Sequence, residues 1–172
     1  MMNSVKNFLP RNIMTTLYYS FFYSYINYGT LLWGPSMSMG NLNRFVKMQK
    51  KAVRVIKNMS YTAHTGSSFK ELKILKIQDV IDLEVLKFTY SFIHGLLPLP
   101  LLTTFELNSD IHNYNTRNKD NPRPAQHKSA KFNRSYLTLS SRLWLTVPND
   151  DKNSKTLRNF NKRIKKWKIS GY

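Results

Sequence analysis

No cysteine occurs among the 172 residues. Disulfides and thiolate metal sites are thereby excluded, and the redox compartment stays open, compatible with a cytoplasmic or nuclear location. Acid is scarce as well: 9 Asp and Glu stand against 27 Lys and Arg, for a net charge of +18. Histidine is sparse, and His64, His94, His112 and His127 are scattered without the i,i+3 or i,i+4 partners of a metal site. No Gly-rich phosphate loop, Ser nucleophile elbow or Cys nucleophile is present. Asp150 and Asp151, the adjacent acids of VPNDDKN, read as a turn and helix-capping stretch. Two-metal phosphoryl transfer instead needs carboxylates aimed into one site. The expectation is a chain that is not an enzyme by itself and holds no cofactor.

What is present is a basic yet apolar-rich chain. With 41% apolar residues it has the composition of a folded domain, or a domain plus an extension, rather than of a disordered basic tail. A surface so one-sided repels itself until an anionic partner relieves it, and nucleic acid is the commoner such partner, ahead of anionic membrane.

The most informative stretch is Leu42–Asn58, LNRFVKMQKKAVRVIKN. On a helical wheel of about 100° per residue, Leu42, Phe45, Met48, Ala52, Val53, Val55 and Ile56 gather on one side. Arg44, Lys47, Lys50, Lys51, Arg54 and Lys57 share the other. No acid of this helix laces those cations into i,i+4 pairs, as a merely solvated helix would. The face is therefore expected to meet an anion.

Between Asn12 and Asn43 there is no charged residue, and residues 13–33 are long enough to cross a bilayer as a helix. Their composition argues otherwise. Tyr18, Tyr19, Tyr23, Tyr25 and Tyr28, mixed with Thr and Ser, would lie along the membrane's middle, whereas tyrosines belong at its interfaces. The reading is a helix begun near Pro10, capped by Asn12, and buried nearly all round by neighbours. Gly29, Gly34 and Pro35 end it. A short helix is expected around Ser67–Leu72, capped by Ser67 or Ser68, and a longer one over Ile77–His94, stopped by Gly95. Its acids, Asp79, Asp82 and Glu84, stand in the first half, where the helix dipole favours them.

Three long helices joined by short turns give an all-α bundle, so the first domain is placed at residues 1–100 and a loop-rich C-terminal segment at 101–172. Within the second, Asn108–Lys131 has no sustained period and reads as an extended loop offering His112, Tyr114 and Arg117. Arg134–Val147 partly alternates, suggesting a short strand and then a helical turn near Ser141–Leu145. Lys155–Ile169 reads as a basic amphipathic helix. Its stripe is Leu157, Phe160, Ile164 and Trp167, and Arg163 and Lys166 lie among the surrounding cations.

The pieces also form a collinear series: Tyr28-Gly29, Trp33-Gly34, Gln49-Lys50-Lys51-Ala52, Thr116-Arg117, and Trp144 with Pro148. That succession resembles the region just after the polymerase palm in reverse transcriptases of non-LTR retrotransposons, the LINE type and its jockey-like members. The resemblance spans nearly the whole chain and implies a thumb-like helical bundle followed by the C-terminal segment of an RNA-directed DNA polymerase. It implies RNA or RNA–DNA duplex as partner, with Arg44, Lys47, Lys51 and Arg54 on its phosphates and Arg117 as a further candidate, and the palm as a further partner. Lys50, Arg163 and Lys166 are candidate contacts by their place on the basic helix faces. The family's Tyr-x-Asp-Asp hairpin lies upstream of Met1, so the chain is expected to be a truncated, non-catalytic piece, with magnesium bound only in the full-length polymerase. A single-pass membrane protein anchored by residues 13–33 and a basic protein-interaction module are the alternative readings.

Overall fold

The computed structural model describes residues 2–103, 105–111, 119–123, 129 and 132–172. Within these residues the chain is mainly helical and contains no strand. In order come α1 (Met2–Val5), α2 (Arg11–Leu17), a π-helical stretch (Tyr18–Tyr23), α3 (Ser24–Asn27), α4 (Thr30–Trp33) and α5 (Met39–Ile56). Then follow α6 (Gly66–Glu71), α7 (Ile77–Ile93), α8 (Leu99–Leu102), α9 (Tyr136–Thr146), α10 (Asn149–Lys152) and α11 (Leu157–Ser170). The chain divides into two compact units. One comprises residues 1–30, 37–80 and 166–172; the other comprises 31–36 and 81–165.

The first unit is built on residues four apart. Met14, Tyr18, Ile26 and Thr30 are buried, and Phe22, between them, packs on the same core. In a pure α-helix each four-residue step would drift by about 40° and spread this series around the axis. The π-helical stretch, where Ser24 N–H reaches back to the Tyr19 carbonyl, widens the turn and holds the series on one side. The segment is therefore not buried all round, as its composition suggested. Phe21 and Tyr25 stay 60% and 76% exposed on its other side. Pro10, in extended conformation, stands at the N-cap, so Asn12 lies inside the first turn rather than capping it. The helix breaks at Tyr28 and Gly29, and no helix among the described residues is long and apolar enough to cross a membrane.

Val53 and Ile56 of α5 and Phe69 of α6 join Met14, Tyr18 and Ile74 in this core. At the centre sits Gln49, only 2% exposed. Its Nε2 donates to Tyr18 Oη (2.9 Å) and to the Leu75 carbonyl (2.7 Å), while its Oε1 accepts from Ile77 N–H (2.9 Å). Burial pushes the Tyr18 hydroxyl far above its ordinary pKa, so it stays protonated beside the amide. The Ile77 bond also satisfies an N–H that the first turn of α7 would otherwise leave unpaired. Lys76 N–H, one residue earlier, donates to Tyr172 Oη (2.8 Å), which in turn donates to Asp79 Oδ2 (2.6 Å). Side chains remote in sequence thus cap α7. Asp79, placed where the helix dipole favours an acid, is also held by Lys168 at 3.2 Å.

Among the described residues, three helices end in the same device. In each, a left-handed residue follows the helix and two N–H groups close back on its last carbonyls. Asn58 (φ 50°) ends α5, where Met59 N–H bonds the Arg54 carbonyl at 2.9 Å. Gly95 (φ 63°) ends α7, where Leu96 N–H bonds the Ser91 carbonyl at 2.8 Å. Lys73 (φ 53°) ends α6, where Ile74 N–H bonds the Phe69 carbonyl at 3.0 Å. Lysine carries a Cβ penalty there that glycine does not. Lys73→Gly is expected to raise stability by roughly 1 kcal/mol, read as a higher denaturation midpoint at unchanged m-value. At the start of α6 neither Ser67 nor Ser68 caps the helix: Thr65 stands at the N-cap, and Ser68 is buried with its hydroxyl donating to Met59 Sδ (3.4 Å).

The second unit is held by aromatic rings. Tyr90 of α7 stacks on Phe160 of α11 with ring centres 4.5 Å apart, and Trp144 of α9 lies 5.9 Å from Phe160. Phe105 packs against Phe92 and Phe88 at 4.9 and 5.9 Å. The expected strand within Arg134–Val147 is replaced by a 3-10 turn (Phe132–Arg134) and α9. The helix tolerates buried hydroxyls because its own carbonyls answer them. Ser140 Oγ donates to the Leu137 carbonyl (2.6 Å) and Ser141 Oγ to the Thr138 carbonyl (3.0 Å). The base of the Asn-rich excursion is closed by main-chain bonds, with Arg123 N–H to the Glu106 carbonyl (2.8 Å) and Ser109 N–H to the Lys119 carbonyl (2.8 Å).

Candidate nucleic-acid interface

Helix α5 begins at Met39, three residues before the expected start. Ser38 lies in extended conformation at its N-cap, and its Oγ accepts from Asn41 N–H (3.4 Å). Its inner face differs from expectation by one neighbour: Met48 is 54% exposed, and Gln49 takes the buried position. Held by the bonds of Gln49 and by Val53 and Ile56, the helix cannot turn its other face inward.

That outer face presents Arg44, Lys47, Lys50 and Lys51, all exposed. At about 1.5 Å of rise per residue, Arg44 and Lys51 lie about 10 Å apart along the axis. None of the four meets a carboxylate among the described residues. The neighbouring cations are committed. Lys57 pairs with Glu71 of α6 and holds that carboxyl below its usual range by hydrogen bond and charge. Arg54 is half-buried and donates through Nε to the Ala63 carbonyl (2.9 Å), which ties the loop after α5 to the helix. The Lys51 ammonium stands 5.6 Å from the centre of the Tyr61 ring in that same loop.

Beside this face lies a surface cavity of about 570 Å³ lined by Lys6, Lys51, Arg54, Tyr61, Met59 and Val55, with Ala52. Lys6, Tyr61 and Met59 are functional candidates that sequence reading did not single out. They come from segments before and after the helix, and no period in the chain links them.

The remaining candidates are dispersed. Arg163 of α11 is engaged within its own unit: its Nη1 lies 3.2 Å from Asp151 Oδ1 and donates to the Asp150 carbonyl at 2.7 Å. This guanidinium ties α11 to α10 and is less available to a ligand than the cations of α5. Lys166 is exposed. Its neighbour Lys165 is partly buried, and desolvation pushes its pKa down. Arg117, with His112 and Tyr114, lies outside the described residues. Among the described residues no group of three or more His, Asp and Glu comes together to hold a metal ion. Asp151, half of the adjacent acid pair, faces Arg163.

No family model, curated protein or solved structure matches the chain.

Proposed function

We propose that the chain grips RNA or an RNA–DNA duplex through the outer face of α5, as the thumb-like part of an RNA-directed DNA polymerase of the non-LTR retrotransposon type. The observation that carries this reading is the set Arg44, Lys47, Lys50 and Lys51: exposed, on one helix face, and unanswered by any carboxylate among the described residues. Such cations at helical spacing suit successive phosphates of a duplex backbone. The collinear resemblance supplies the enzyme class. In this reading polymerisation and its magnesium belong to the palm of the parent enzyme, and this chain contributes grip. The exposed Phe21 and Tyr25 are a surface on which that palm would pack.

Phosphate contacts position a protein without reading bases. Two RNA–DNA hybrids of equal length and unrelated sequence are therefore expected to bind within about threefold of each other at about 50 mM salt. Fluorescence anisotropy with the full chain measures both. Absence of binding, or a preference of about a hundredfold for one sequence, would overturn the reading.

A further inference from the structure

We infer that the cavity beside α5 accepts one unpaired nucleotide of the bound strand, its base against Tyr61 and its phosphate on Lys51, Arg54 and Lys6. The inference deepens the proposed duplex grip and rests on it. The lining has two characters, as a nucleotide does. Ala52, Val55 and Met59 are its apolar lining, and Lys6, Lys51 and Arg54 add three cations to it. Tyr61 remains 73% exposed, so its ring offers an open surface for stacking. The Lys51 ammonium stands over that ring, 5.6 Å from its centre, so positive charge already lies at the ring that a nucleotide's base would meet. Arg54 is preset for the same task, because its Nε bond to the Ala63 carbonyl (2.9 Å) fixes the guanidinium and the Tyr61 loop together.

The cavity is also continuous with the duplex-gripping face. Lys51 belongs to both: it is exposed on α5 and lines the cavity. A strand running along Arg44, Lys47 and Lys51 therefore reaches the cavity without leaving the helix. A paired base is stacked within its duplex and cannot enter. An unpaired terminal nucleotide can.

The test titrates the full chain with a blunt RNA–DNA hybrid and with the same hybrid carrying one unpaired terminal nucleotide. The overhang is expected to tighten binding by about tenfold, the scale of one stacked base. Tyr61→Ala should erase that gain while leaving blunt-hybrid affinity within about twofold, since the ring stands outside the helix's phosphate-facing row. A 4-thiouridine in the overhang should photocrosslink to Tyr61 or Met59. Equal binding of the two hybrids, or crosslinking only elsewhere, would overturn the nucleotide site and leave the duplex grip standing. Failure to bind either hybrid would overturn both. Competition of the overhang's gain by free adenosine monophosphate at micromolar concentration would assign the cavity to a free nucleotide and overturn the strand assignment.

Discussion

Gln49→Ala is expected to destabilise the first unit by about 3–4 kcal/mol, a large fraction of the stability of a domain this size. The change orphans three buried groups at once: the Leu75 carbonyl, the Ile77 N–H at the start of α7, and the Tyr18 hydroxyl. Each unpaired buried polar group costs about 1–3 kcal/mol, partly offset where water enters the space left behind. A cavity term adds to this, because the Gln49 side chain is fully enclosed. Gln49→Leu separates the contributions. It fills most of the volume but makes none of the bonds, so it should retain roughly a third of the lost stability. Urea denaturation of both variants measures this. A loss below about 0.5 kcal/mol for Gln49→Ala would contradict the assignment of Gln49 as the tie between α5, Tyr18 and the start of α7.

The legibility of this residue in the sequence is instructive. Gln49 stands four residues after Phe45 and four before Val53, squarely on the packing face of α5, so the wheel contained the signal. The apolar set includes Met48 and leaves Gln49 out of either face; the structure exposes Met48 and buries Gln49, whose amide can serve three partners that a thioether cannot. Helices α5 and α7 were legible from their 3.6-residue period. The first segment was legible as helix but not in its burial, since its four-residue series depends on a π-helical widening that composition does not announce. In Arg134–Val147 the helical turn expected near Ser141–Leu145 lies within α9, whereas the expected strand does not form, because hydroxyls bonded to carbonyls of their own turn imitate the alternation of a strand. At the candidate interface, the exposure of Arg44, Lys47, Lys50 and Lys51 followed from the wheel. The commitment of Lys57 to Glu71, Arg54 to Ala63 and Arg163 to Asp151 did not, because those partners come from other elements.

The largest functional effect is expected from the triple variant Arg44→Glu, Lys47→Glu, Lys50→Glu. These side chains are exposed and make no ion pair among the described residues, so their reversal leaves the core bonds of α5 intact. Far-ultraviolet circular dichroism and the urea midpoint should therefore change little. Binding should change greatly, because each lost phosphate contact forfeits the release of condensed counterions and each new carboxylate repels the backbone. A weakening of about a hundredfold or more is expected at low salt. Lys51 and Arg54 are left unaltered, which keeps the cavity beside Tyr61 complete.

The salt dependence of this variant beside the unaltered chain tests the central claim most directly. The logarithm of hybrid affinity is plotted against the logarithm of salt concentration for each protein. The unaltered chain should give a slope of about −3 to −4, as expected for about four to five phosphate contacts, and the variant's slope should be shallower by about 2–3. A flat plot for the unaltered chain, or equal slopes for the two proteins, would contradict a phosphate grip by the outer face of α5.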